Sequence, residues 1–553
     1  MLDVSGDRAS AIRQAETLMS AGQVTGVKVV KETYNNETGD YLTLKIFEDG
    51  VNKIKTDPAQ EDVPHALPCF KPDDLYSYHA RATMARLLGD FLARQKITVT
   101  ELIHRADALE KFEATGTLYQ HAVQKVAVAQ AASTTTPVQQ IIKSLNELVT
   151  KAINRVYRDA RKGVFGEVKP GGFARLADSL AQDSDASYRL NGAIARAIVP
   201  AKGWDEKLLR LLAILEELPG AGAGRVLLAD CTESIVAEVL NGGAALHELI
   251  GDSQNLGAAL DVLVELFLAR NATEGQTGLA ALARHFAADE LPAARTAIAN
   301  RIMAELKSVK NLCPNSLVDE LKTLRRIANK LVLGQGKYLS HEDLIAAFTL
   351  RSKRLVTHES VSAHLAEAHA PDEKLERLFL IEENIIGAEN KRQLAAFAMP
   401  LIGSSAFEQH FLFARTPVVE RLRALSALQA RALRSGFQDI QKAELANALD
   451  AMAAEIEARA RLLEAVEAKA ASHVDKAIAI LKLCMAGLFT EGVLSTRARA
   501  LVLRHIGQPG FLTGYIALQK QNNLTTEAAT SELVRNLEKL GINQDTGLKT
   551  LAA

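Results

Sequence analysis

From Asp73 onward the chain is punctuated in one manner. Apolar residues recur at three- and four-residue spacing through runs of roughly one to two dozen residues, and short breaks rich in Gly, Pro, Ser and Asn separate the runs. The breaks fall at 133–137 (STTTP), 162–172 (KGVFGEVKPGG), 199–203 (VPAKG), 218–224 (LPGAGAG), 271–276 (NATEGQ), 312–316 (LCPNS) and 331–340 (LVLGQGKYLS). A helix with one apolar stripe must bury that stripe on another element, and helices joined by short connections lie antiparallel to their neighbours. This predicts a mainly α protein of multi-helix bundles or an irregular α-solenoid, since no fixed repeat period runs through the chain. Helix ends carry their own signals: Ser340 precedes HEDLIAAF with Asp343 in the capping-box position, and Gly541–Ile542 follows a run that a left-handed residue would stop.

One stretch departs from the helical pattern. After a short helical run at 8–21, with Ile12, Ala15, Leu18 and Met19 on one face and Gly22 to end it, residues 24–50 alternate. Val24, Val27, Val29 and Val30 open an extended run, NNETGD (35–40) supplies the reversal, and Leu42, Leu44 and Ile46 alternate with Thr43 and Lys45. An isolated hairpin is marginal in water, so its apolar side must rest on the preceding helix or on the helical body. Its polar residues Lys28, Lys31, Glu32, Thr43 and Lys45, and its free strand edges, suit either water or a partner's strand. Prolines at 58, 64, 68 and 72 then forbid regular structure and predict an extended connector. The expected organisation is a helix-plus-hairpin module (1–55), a Pro-rich connector (56–72), and helical domains at 73–200, 201–350 and 351–553.

Between Gln438 and Gly487 there is neither proline nor internal glycine. Leu445, Leu449, Met452, Ile456, Leu463 and Val466 follow a heptad seam that Arg459 interrupts. The preceding run, with Leu422, Leu425 and Leu428, can supply the facing side as an intrachain helical hairpin; a second copy of the chain is the alternative partner for the 438–487 helix.

Composition narrows the function classes. Lys plus Arg total 65 against 66 Asp plus Glu, a net charge of −1, which argues against a polyanion as the main partner. Aromatic residues are 5%, so the core is built from Leu, Ala, Ile and Val, which suits close helix packing better than a large cofactor cavity. Cys69, Cys231, Cys313 and Cys484 are dispersed and without C-x-x-C spacing, so neither a disulfide framework nor a structural zinc site is expected. The charged start MLDVSGDRASAIRQAE lacks an apolar leader core, and the most apolar run, 477–489, contains Lys482 and is too short to span a bilayer. The expected compartment is the cytoplasm.

Each motif that suggests chemistry lacks a required member. In HESVSAHLAEAH (358–369), His358 and His364 are too far around a helix to share a metal, and His369 comes one residue late for an inverted H-x-x-E-H arrangement with His364 and Glu367. Glu101 and His104 have the E-x-x-H spacing of di-iron bundles, yet no second copy occurs. Gly220, Gly222, Gly224 and Arg225 resemble a phosphate loop without its closing G-K-[ST] or a preceding strand. Arg415-Thr416-Pro417 matches part of a sensor-kinase phosphoacceptor box, but Leu412 stands where its histidine belongs and His410 is two residues early. A basic stripe of Arg155, Arg158 and Lys162 could meet phosphates or an anionic membrane, although such stripes are commonly solvated faces. No catalytic, metal or cofactor residue is therefore expected. The sequence points to a scaffold, adaptor or regulator that binds other proteins, with Lys28, Lys31, Thr43, Lys45, Arg155, Arg158 and Lys162 as interaction candidates. The competing readings are an enzyme with its site between helices, around 358–369 or 220–225, and a binder of nucleic acid or membrane through the basic faces.

Overall fold

The computed structural model describes residues 7–20, 26–34, 41–50, 66–270, 277–314, 316–332, 334, 336–469, 472–521 and 523–542. The protein is mainly α, about 74% helical, with one small two-stranded antiparallel sheet near the N-terminus. Among the described residues no helix is long and apolar enough to cross a membrane. The chain divides into two compact units, one formed by 1–91 with 102–164 and the other by 92–101 with 165–553.

In the first unit the Arg8–Ser20 helix packs against both strands of the hairpin, β1 (Gly26–Tyr34) and β2 (Tyr41–Gly50), and buries Ala15. That contact supplies the support a lone hairpin needs. Val29 pairs with Phe47 and Val30 with Lys45, so Ile46 forms a bulge in β2. Gly22, the 35–40 reversal and residues 56–65 of the connector lie outside the described residues. Pro72 opens a short 3-10 turn, Pro72–Tyr76, where the Asp74 carboxylate accepts the backbone N–H groups of Phe70 (2.8 Å) and Lys71 (3.1 Å). The helical part of this unit is organised on the long Val138–Arg161 helix, which packs along Thr117–Ala132. Its apolar stripe, Ile141, Leu145, Leu148, Ala152 and Val156, keeps the three- and four-residue spacing that the sequence shows.

The second unit holds two large apolar cores. One runs from Phe173 to Phe348, and the other draws on residues from Leu321 to Ile542. The first includes Ile194 and Ile198 on one side of position 200 and Trp204 and Leu208 on the other. Buried charges join the helices. Lys207, 3% exposed, donates to both oxygens of Glu101, 0% exposed, at 2.8 and 2.6 Å. Glu101 also closes a capping box with Thr98, accepting its N–H at 2.9 Å while Thr98 Oγ1 accepts the Glu101 N–H at 3.1 Å. Thr100 donates through N–H and hydroxyl to Glu238, and Lys96 pairs with Glu248 at 2.8 Å. Farther along, the buried Arg351 guanidinium donates to the carbonyls of Glu305, Leu306 and Ser308 at the end of the Pro292–Lys307 helix, and to Glu320 at 3.2 Å. The last carbonyls of a helix lack the regular amide donors of the next turn, and the guanidinium supplies donors there.

Helix ends follow the local signals. Ser340 Oγ accepts the Asp343 N–H, and at Gly541 (φ +71°) the N–H groups of Gly541 and Ile542 reach Glu538 and Leu537 in a Schellman pattern, with Ile542 buried. The uninterrupted 438–487 helix is corrected. The segment forms Asp439–Ala460, Leu462–Lys469 and His473–Met485, and the first break falls at Arg461, a non-glycine residue at φ +52°. The buried Glu457 carboxylate accounts for it. One oxygen accepts the Leu463 N–H at 3.1 Å, satisfying the start of the next helix, while the other takes Arg497 at 2.7 Å. Val418–Arg434 packs antiparallel to Asp439–Ala460, and the seam residues Leu445, Leu449, Ile456 and Leu463 are buried within this chain's own core.

Candidate functional site

The helix His358–Ala366 begins with a capping box in which Thr357 Oγ1 accepts the Ser360 N–H at 3.2 Å and Ser360 Oγ accepts the Thr357 N–H at 3.0 Å. That start orients its two histidines differently. The His358 ring lies against Phe397, with centroids 5.2 Å apart. His364 turns toward Glu367, 3.8 Å away, and its imidazole is held below its ordinary pKa by burial and by the neighbouring Arg377 cation. Arg377 organises this end: it pairs with Glu367 (3.0 Å) and Glu373 (2.9 Å) and donates to the His364 carbonyl, while Glu373 also accepts the His369 N–H. A guanidinium thus occupies the centre of the acid and imidazole cluster that the sequence offers as metal ligands. Among the described residues no three His, Cys, Asp or Glu side chains converge as a metal ion would require.

Beside that cluster runs an open groove of about 430 Å³. Its floor is apolar, with Leu365, Ala366, Phe397 and Leu401, and His358, Ser362 and Lys374 stand as its polar members. Next to the lining residue Pro400, Met399 is 39% exposed. The chemistry on offer is that of a docking groove: apolar area for side-chain anchors and one ammonium to meet a carboxylate.

The other sequence candidates take up structural partners. On Val138–Arg161, Arg155 pairs with Asp73 at 2.8 Å and lies 3.6 Å from Asp159, and Arg158 pairs with the same Asp159 at 3.0 Å. The stripe of Arg155, Arg158 and Lys162 therefore carries a buried carboxylate within it, and Lys162 stands exposed at the helix end. Nearby, the Tyr157 hydroxyl donates to Glu113 at 2.6 Å, and desolvation with that carboxylate pushes the phenol up to about 12. In the hairpin, Lys28 pairs with Glu48, Lys31 with Leu44 and Glu32 with Thr43 in the backbone register; Lys31 is exposed, and the side chains of Lys28, Thr43 and Lys45 lie outside the described ones. Glu101 belongs to the ion pair with Lys207, and the His104 ring packs on Tyr76 at 5.3 Å.

Two glycines at the start of Ala223–Asn241 have separate local reasons, one of backbone conformation and one of packing. Gly222 sits at φ +108°, and a side chain at Gly224 would strike Asp178. Arg225 donates back to the Pro219 carbonyl at 2.9 Å. Pro417 caps Val418–Arg434, and His410 lies 3.3 Å from Asp372.

Two features are not legible in any local motif. The first is a partly open cavity of about 150 Å³ in the first unit, lined by side chains from 66–88, 102–112, 119–130 and 145–156. The second is a cluster in the second unit, where the buried His505 lies between Glu467 on Nε2 and His473 Nδ1, 2.9 Å from its own Nδ1, with Arg504 also on Glu467. A weak signal for the cavity exists in the small residues Ala80, Ala122 and Ala152 on helices whose other facing residues are mostly Leu, Ile, Val and Met. The four cysteines are free thiols, as their dispersion suggests. No family model, curated protein or solved structure matches this chain.

Proposed function

We propose that this protein is a non-enzymatic helical scaffold, adaptor or regulator that works by binding another protein, and that the groove beside His358–Ala366 receives an amphipathic helix. The groove itself carries the reading. A floor of Leu365, Phe397 and Leu401 suits apolar anchors at three- and four-residue spacing, and Lys374 favours a partner with an acidic residue flanking them. Most of the lining residues sit on helices, which favours a site that needs little ordering on binding.

The test is affinity capture with full-length wild type and with the Leu401→Glu and Lys374→Glu variants. Wild type should retain a partner that both variants lose, since one places a carboxylate on the apolar floor and the other reverses the rim charge. Recovery of the same proteins from all three would overturn the assignment. The N-terminal hairpin is proposed as a second contact. A form lacking residues 1–72 should then lose partners that the groove variants keep.

A further inference from the structure

Protein interiors pack as densely as organic crystals, and voids much larger than a water molecule are few. Against that expectation, the cavity of about 150 Å³ in the first unit is large. It lies among the small buried clusters of this unit, Leu75, Leu148 and Ala152 on one side and Val123, Ala127, Ile141 and Leu145 on the other, and takes lining residues from both. None of its lining side chains is charged. Its polar members are few, and two already have partners: Tyr119 donates to Asn146 at 2.7 Å and Gln130 to the Leu67 carbonyl at 3.3 Å. The lining residue Leu67 is 54% exposed, and Phe70, next to the lining residue Cys69, is 83% exposed. The cavity therefore reaches solvent beside apolar side chains.

We infer that this cavity is a binding site for a small uncharged apolar molecule, about the size of a benzene ring or a six-carbon alkyl chain. Size sets the scale, because an engineered protein cavity of about this volume, lined by Leu, Ile and Phe, accepts benzene. Charge sets the chemistry. A carboxylate or ammonium carried into this lining would lose its hydration without gaining an opposite charge, whereas a neutral apolar molecule leaves water at no such cost. The site lies in a different unit from the docking groove, so either assignment can fail without the other.

The experiment uses full-length protein labelled with ¹³C at its methionine methyls, titrated with toluene, n-hexanol and hexanoate. Met84 lines the cavity, and toluene should move its resonance saturably through the ring current while the other methionines hold still. Hexanol should bind at least tenfold more tightly than hexanoate of the same chain length. In Ala152→Leu the added carbons enter the cavity, and toluene affinity should fall at least tenfold. In Ala396→Leu, at the docking groove, it should not change. A static Met84 resonance, a different methionine responding, or hexanoate matching hexanol would overturn the inference in wild-type protein alone. Unchanged toluene binding in folded Ala152→Leu would do the same.

Discussion

The buried pair of Lys207 and Glu101 allows a sharp test of how the second unit is held together. Lys207→Met keeps the length of the side chain and most of its packing but removes the ammonium that donates twice to Glu101. The carboxylate, with no solvent exposure, then keeps its bond from the Thr98 N–H and loses its counter-charge. Breaking a buried pair in this way costs about 3–5 kcal/mol, because the remaining charge stays desolvated. Converting the carboxylate as well reverses most of that loss: in Glu101→Gln/Lys207→Met the amide oxygen still accepts from Thr98 and no charge is buried. The double variant should therefore recover at least about 2 kcal/mol of the single variant's deficit. The protein contains one tryptophan, Trp204, and its ring lies 5.3 Å from the Lys207 ammonium. Urea unfolding followed by tryptophan fluorescence thus reports on the perturbed helix itself. If the double variant is as unstable as the sum of its parts, the ion pair is not what makes Lys207 matter, and the reasoning fails.

Other expectations follow from individual contacts. Gly224→Ala drives a methyl into an Asp178 carboxylate oxygen and to 2.8 Å from the Asp178 Cα, so the Phe173–Leu180 and Ala223–Asn241 helices must separate. A loss of about 1–3 kcal/mol in urea unfolding is expected, and an unchanged midpoint would show the close approach to be unimportant. At Glu467, burial raises the carboxyl pKa, but His505, Arg504 and Lys476 together outweigh it and hold the group below its ordinary value. A depressed carboxyl stabilises the fold above its unfolded pKa and loses that contribution as pH falls through the folded value. Glu467→Gln should be less stable than wild type at pH 7, and the difference should close on acidification below the ordinary carboxylate range; a gap that stays constant to low pH would contradict this. Burial pushes the Cys484 thiol up to about 11, so it should alkylate far more slowly at pH 8 than an unperturbed thiol, as read by mass spectrometry of a peptide time course. Rapid labelling in the folded protein would count against the half-buried placement of Cys484.

What the sequence alone determines here is local in origin. Helix or strand follows from whether apolar residues recur at three to four positions or at two, so the helical body and the single hairpin are legible before any contact is known. The same holds for caps such as Ser340 and for the Gly541 stop, because the groups they satisfy lie within a few residues. The stripe on Val138–Arg161 names its own buried face, and the 418–434 and 439–460 helices pair through residues that already read as one seam.

Tertiary structure decides everything that depends on residues distant in the chain. Arg461 breaks a segment free of internal glycine and proline, and the Glu457 carboxylate beside the break is held by Arg497, 40 positions away. Glu101 reads as half of a metal motif until Lys207, 106 positions away, makes it an ion pair. The cavity is the space left where four stretches of the first unit meet, and a run of apolar residues reads the same whether the facing side chains touch or leave room for a guest.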